Sequence, residues 1–309
     1  MIRLAYQTLR DTTLYFPSRE EIRAGVWVYA TQPSQEELVW ITKHCRVERD
    51  LLEDALDPFE VPRYETHDGV VYFFARYPVE EEGEITTAPV LLAVTPEYVV
   101  TVARRGVPAW ERILTTGRSE VPTTQRTKFF LFLLRRIVDA YTAALNRMQR
   151  QVHSYRAHPH HLTEEMIDAF VHYENTLNDF LGALVPFNAA LTQLLREAKL
   201  PLFEQDVDFV EDLQLAVGQL LERSRAVLKT TQNIRNAFSA IAANRLNLVV
   251  KRLTALTVIL AILTVVTSLW GMNVPVPFAE EPRGFWIVLA LAMTLAGGVG
   301  WWFAKNRWL

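Results

Sequence analysis

One cysteine, Cys45, occurs in the whole chain of 309 residues. An intramolecular disulfide is therefore impossible, and thiolate zinc clusters are excluded. No Arg/Lys-rich block is present and the formal net charge is −3, so no groove tracking nucleic-acid phosphates is expected. Walker loops, nucleophile elbows and His-Glu-x-x-His patterns are also missing, which argues against an ATP-driven pump, an enzyme or an organic cofactor. Residues 1–7 lack an apolar core of signal-peptide length, so the bulk of the chain is expected to stay where it is made. Charge is lacking altogether in two long stretches, 253–270 and 285–304. Mean hydropathy is only +0.06, so a membrane part is a minority of the chain.

The first segment, 1–122, alternates strand and helix signals, as an α/β domain does. Strands are expected at 25–30, 69–77, 89–94 and 98–102, where β-branched and aromatic residues concentrate. A helix in two pieces is expected over 35–56. The acidic run from Glu80 to Glu84 reads as a solvated loop. Strand signals vanish from Pro122 onward. Segment 123–200 reads as a pair of long helices, about 124–157 and 163–199. Its run Phe129-Phe130-Leu131-Phe132-Leu133-Leu134 resembles a membrane span, but a span needs about 20 residues, so this is a buried helical face. Segment 201–252 reads as a helical stalk with a heptad. One seam carries Leu213, Leu220, Val227, Ile234, Ile241 and Leu248; the other carries Val210, Val217, Ser224, Thr231, Phe238 and Arg245. The repeat fits packing within the chain, or a stalk that bundles with copies of itself.

At 1.5 Å per residue, 253–270 and 285–304 each reach about 30 Å, the hydrocarbon thickness. Residues 271–284 join them as a hairpin loop, and 305–309 form a basic tail. Lys251, Arg252, Lys305 and Arg307 flank the spans, whereas the loop offers Arg283 against Glu280 and Glu281. Both termini are therefore expected on the cytoplasmic side of the cell membrane. Two helices cannot enclose a pore alone, so the protein is either anchored or assembled from copies. Asn247, Thr254, Thr257, Ala261, Thr264 and Ser268 fall on one helical face. Such a stripe suits a helix lining water or ions, although hydroxyls in spans also bond their own backbone or pack against helices.

Directly after the first span stands Trp270-Gly271-Met272-Asn273. Gly271 is expected to end the helix in a left-handed conformation, and Asn273 to present a neutral oxygen at the mouth. Magnesium dehydrates reluctantly, and amide oxygens can hold a hydrated ion through its waters without trapping it. Asn273 as a helix-capping or turn residue is the plainer alternative. An aromatic followed by Gly-Met-Asn, two C-terminal spans, a long helix feeding the first and an α/β domain before it resemble the CorA family of magnesium and cobalt transporters. The ending Ala304-Lys305-Asn306-Arg307-Trp308-Leu309 is similar to that family's basic tail. Residues 53–65, an acidic helix end followed by a Pro-basic turn, add to the likeness. The resemblance implies a homopentamer in the lipid bilayer with a funnel-shaped cytoplasmic region. It implies pore rings at Thr264 and Asn247, a hydrophobic gate at Leu253 and a second apolar constriction at Val250. It also implies a cytoplasmic Mg²⁺ sensor at Asp212, partnered by Glu81, Glu82 or Glu84 of a neighbouring copy. Ala261, Ile262 and Trp270 depart from the family's usual residues, which bears on pore width and kinking.

The expected protein is thus an α+β membrane protein: a cytoplasmic α/β domain, a helical stalk and two C-terminal transmembrane helices. Mg²⁺ is the expected transported and regulatory ion, with Co²⁺ and Ni²⁺ as further cargo. The zinc-transporting branch of the superfamily, which also carries Gly-Met-Asn and can couple to protons, is the alternative. A membrane-anchored coiled-coil scaffold without transport is the third reading; it has no need of the polar stripe or of Asn273. Glu280 and Glu281 are placed to attract cations to the outer loop. His153, His158, His160 and His161 form either a zinc site or an exposed polar helix tip.

Overall fold

The structure, a computed structural model, describes residues 1–81, 83–156, 164–197, 199–278, 281–306 and 308. Six strands form one sheet: β1 (Ile2–Ala5), β2 (Trp27–Thr31), β3 (Arg63–His67), β4 (Val70–Glu81), β5 (Glu84–Val94) and β6 (Val99–Ala103). Their order is β1-β2-β6-β5-β4-β3. β2 and β6 run parallel, with Trp27 opposite Val99; the other neighbouring pairs are antiparallel.

Alternation along each strand assigns two apolar faces. Val28, Ala30, Tyr72, Phe74 and Val100 point to one, where they meet Leu38 and Ile41 of α1 (Gln35–Cys45) and Leu52 of α2 (Arg49–Asp54). Trp27, Tyr29, Phe73 and Leu92 point to the other. That face is covered by α3 (Pro108–Thr116), α4 (Arg126–Arg156), α5 (Glu164–Glu197) and the start of α6 (Glu204–Trp270). Cover on both sides explains the nearly unbroken apolar run of β4. α1 starts in a capping box: Glu37 N–H donates to Ser34 Oγ at 3.3 Å, and Glu37 accepts from Ser34 N–H at 3.1 Å.

All six residues of the Phe129–Leu134 run are buried. Phe129 meets Trp27 at 5.1 Å between ring centroids, and Phe130 meets Phe73 at 6.0 Å. Trp110 of α3 donates its indole N–H to Leu133 O at 3.3 Å. The run is thus a buried segment of a core helix and not a membrane span, while the rest of α4 also presents exposed residues such as Arg135 and Arg147.

Two local expectations are corrected. The acidic run is no free loop: Glu80 and Glu81 end β4, Glu84 begins β5, and Glu81 pairs with Glu84 across a tight hairpin. Gly83, at φ +87°, supplies the left-handed residue that turn needs. Residues 63–65, read as a turn, belong to the edge strand β3.

The chain divides into two compact units, Met1–Ile234 and Arg235–Leu309, and α6 contributes to both. In the first unit the α6 heptad packs within the chain. Val210, Leu213, Val217, Leu220, Ser224, Val227 and Thr231 are all buried. In the second, Ile241 and Leu248 of the same seam are 42% and 43% exposed. The second unit holds the rest of α6 and α7 (Gly284–Lys305). The uncharged segments of both helices are long and apolar enough to cross a membrane, and little of either is buried.

Candidate ion-conduction site

Within the second unit, α6 and α7 form a hairpin. Ala255 and Val266 are the buried residues of this part of α6, with Ile259, Ile262, Leu263 and Trp270 half-buried beside them. On α7, Ala292, Ala296 and Phe303 are buried, and Gly300 faces Ile259: a Cβ added there would lie 3.6 Å from Ile259 Cδ1. Ala292, Ala296 and Gly300 recur every four residues, the small-residue spacing that lets helix backbones approach. The four-residue spacing of small residues is legible in the sequence itself.

Asn247, Val250, Thr254, Thr257, Ala261, Thr264 and Ser268 are all exposed in the single chain. At about 100° per residue their mean direction is about 180° from the buried α6 face. The polar stripe therefore points away from α7. Leu253 and Thr254 flank the stripe's centre on either side, so both belong to the uncovered face; Leu253 is 63% exposed.

Three of the hydroxyls donate to carbonyls one turn back: Thr254 to Val250 at 2.8 Å, Thr257 to Leu253 at 2.8 Å and Thr264 to Leu260 at 2.9 Å. Thr267 does the same to Leu263 at 3.0 Å. The backbone-bonding alternative is thus realised. It leaves each hydroxyl oxygen with acceptor capacity directed outward, which suits the water shell of a cation.

The loop after the span is built from its own residues. Gly271 N–H donates to Thr267 O at 3.0 Å and Ser268 O at 3.2 Å. Gly271 is not among the residues with positive φ, so the expected left-handed helix end is not what stops α6. Instead, Trp270 donates its indole N–H to Pro277 O at 3.0 Å, which folds the loop back over the helix end. Phe278 takes φ +68°. Its carbonyl comes so near Gly284 that a Cβ there would lie 2.1 Å from the oxygen, so only glycine fits. Met272 is 54% exposed. Asn273 is also exposed, and its amide makes no hydrogen bond among the described residues. It therefore caps no helix end among the described residues. Glu281 is exposed in the same loop, and Glu280 lies outside the described residues.

Aromatic and basic residues mark the hairpin's ends. Phe285 and Trp286 stack edge-on near the loop, at 5.3 Å. At the other end Lys305 sits over Trp301 at 5.1 Å and Lys251 over Trp308 at 5.9 Å. Aromatic belts and flanking cations are the features of membrane–water boundaries.

Asp212 is exposed on α6 in the first unit, with no ion-pair partner among the described residues. The acidic hairpin proposed to face it is occupied within its own chain. Glu81 pairs with Arg105 at 2.5 Å and Glu84 with His172 at 3.0 Å; Glu82 lies outside the described residues. His153 is exposed, while His158, His160 and His161 lie outside the described residues. Among the described residues, no group of three His, Cys, Asp or Glu is placed to hold a metal ion.

Comparison with known proteins agrees with this architecture. The chain is 23% identical over 311 residues to the cobalt/magnesium transport protein CorA of Methanocaldococcus jannaschii, covering 97% of this chain and 98% of the relative. It superimposes on the complete structure of that organism's CorA magnesium transporter with a TM-score of 0.86 at 21% identity, covering 100% of this chain and 99% of the other. The zinc transport protein ZntB of Pectobacterium carotovorum is 19% identical over 224 residues, covering 70% of this chain and 66% of the relative. The family model for the CorA-like Mg²⁺ transporter protein matches residues 23–305, and the chain belongs to that family.

Proposed function

We propose that this protein is a passive, gated channel for hydrated divalent cations, magnesium foremost, formed by five copies around the α6 helices. The observation that carries the reading is the uncovered hydroxyl stripe of α6, opposite the α7 face, which leads to the unpaired amide of Asn273. Around a shared axis, Asn273 gives a ring of neutral oxygens at the outer mouth. Thr264 and Asn247 give polar rings below it, and Leu253 and Val250 give apolar constrictions. Thr257, Ala261 and Ser268 complete the wall. Neutral acceptors bind the waters of a hydrated ion and release it, where carboxylates would hold it. The exposed half of the heptad, from Ile241 on, supplies the surface for bundling between copies.

In this reading both termini are cytoplasmic and the loop is outside, where Glu280 and Glu281 raise the local cation concentration. Inward flow is driven by membrane potential, since a 2+ ion gains about 4.6 kcal/mol from 100 mV, inside negative. Asp212 senses cytoplasmic Mg²⁺ between copies. A cation bridging it to Glu81 or Glu84 has to compete with Arg105 or His172 for the carboxylate.

A zinc-transporting, proton-coupled version is the second reading, favoured by the zinc transport relative. Uptake of Mg²⁺, Zn²⁺, Co²⁺ and Ni²⁺ into proteoliposomes, with and without a proton gradient, separates the two. Potential-driven Mg²⁺ flux indifferent to the proton gradient is expected. Zinc flux that follows the proton gradient, without Mg²⁺ flux, would reverse the assignment, and no flux of any ion would leave the scaffold reading.

A further inference from the structure

Outside the conduction pathway, the first unit contains a cleft of about 760 Å³ between α3, α4 and the β4–β5 edge. Its size lies within the range that encloses small organic ligands, about 300–1,000 Å³. Its floor is one face of α4, where Ala140, Ala143 and Ala144 leave an apolar shelf without side-chain bulk. Four guanidiniums line it, those of Arg112, Arg136, Arg147 and Arg150, against the carboxylates of Glu80 and Asp139.

These cations are not equally engaged. Arg136 is held by Glu120 and lies over the Phe132 ring at 4.9 Å. Arg147 reaches Glu80 only at 3.8 Å. Arg112 and Arg150 are exposed and have no acidic partner among the described residues. Two guanidiniums without acidic partners, one on α3 and one on α4, line the same cleft as the apolar alanines, a combination that suits a ligand with a polyanionic part and an apolar part. Guanidinium recognises phosphate oxygens in a bidentate manner, and the volume exceeds what inorganic phosphate alone would fill.

We infer that this cleft binds a nucleoside di- or triphosphate, its phosphates on Arg112 and Arg150 and its base on the alanine shelf. Such polyphosphates carry magnesium between their phosphate oxygens, so the site would let a cation transporter respond to the nucleotide-bound pool. The binding claim itself does not rest on the transport reading. The acidic stretch of a second copy, with Glu204, Asp208, Glu211 and Asp212 exposed on α6, is the competing occupant. The alanine floor favours the small molecule over a helix, which needs spaced apolar anchors along its groove.

Isothermal titration calorimetry of the full chain in detergent, with ATP, tripolyphosphate and adenosine, tests this. Saturable ATP binding is expected, tighter than that of tripolyphosphate and weakened by salt. Arg112→Ala and Arg150→Ala should each weaken it about tenfold without lowering Tm, since both side chains are exposed. Arg112→Lys should recover only part of the loss. Ala143→Trp should abolish the preference for ATP over tripolyphosphate. Absence of saturable ATP binding by the folded wild type, or unchanged affinity in the Arg112→Ala/Arg150→Ala double variant, would overturn the proposal. Equal affinity for ATP and tripolyphosphate would remove the base-binding shelf. Dissociation of the assembly by the double variant, without wild-type ATP binding, would give the cleft to a second copy.

Discussion

Truncating Leu253 to alanine should open the proposed pore. In the single chain this side chain is 63% exposed on the uncovered face of α6, so in the proposed assembly apolar neighbours from other copies would bury it. The substitution removes about three methylene equivalents, each worth about 0.8 kcal/mol when buried. Scaled by the exposed fraction, the closed constriction loses about 1.5 kcal/mol per chain, or about 7.5 kcal/mol around a five-fold ring. A shift of about 5.5 kcal/mol takes a two-state equilibrium from 1:99 to 99:1, so the loss suffices to convert a closed gate to an open one. The assay is Mg²⁺ influx into proteoliposomes loaded with a magnesium-sensitive dye, at internal magnesium high enough to shut the wild type. Leu253→Ala should conduct under those conditions, whereas Leu253→Met, which keeps the volume, should stay shut. An assembled Leu253→Ala protein that remains blocked as the wild type does would refute the gate assignment.

Other outcomes follow from the same structure. Asp212→Ala should weaken magnesium protection of the first unit against protease; an unchanged magnesium titration would remove Asp212 from the sensor. Gly300→Ala fits beside Ile259 in ordinary contact, but Gly300→Leu overpacks the hairpin and should lower stability by about 1–3 kcal/mol, read as a fall in Tm; an unshifted Tm would mean that α7 does not pack there. Cys45 is 1% exposed, and burial pushes its thiol up to about 12. About one molecule in ten thousand then carries the thiolate at pH 8, so maleimide should label it only after unfolding, and rapid labelling of folded protein would contradict its placement.

The elements most legible in the sequence were those with long, strong periodicity. The four long helices announced themselves by length and pattern, and the central strands by β-branched and aromatic runs covered on both faces. β1 and β3 escaped because they are short edge strands. In Arg63-Tyr64-Glu65-Thr66-His67 only Tyr64 is fully buried, and polar edges are how sheets avoid further pairing. α3 was missed although Pro108 at its first position and Gly117, left-handed just past its end, are the expected boundary signals; nine residues were too few for the period to show. The heptad was visible, but not where its partner changes. Val227 and Ile241 look alike in sequence, yet only tertiary contact buries the first and exposes the second. After the first span, the end of α6 at Trp270 was legible in the motif but its cause was not: Gly271 is not left-handed, and the bond from Trp270 to Pro277 depends on a loop closure that no local pattern encodes.

The most direct test of the account is the ring proposed at Asn273. Its amide is exposed and unpaired among the described residues, so Asn273→Ala removes the acceptors for a hydrated cation without removing core packing. Mg²⁺ uptake by reconstituted Asn273→Ala protein should be lost while expression and the five-copy assembly, checked by native mass spectrometry, stay intact. Asn273→Asp should bind divalent ions more tightly and pass them more slowly. Wild-type Mg²⁺ flux through correctly assembled Asn273→Ala protein would show that the loop does not select the ion, and would contradict the account at its centre.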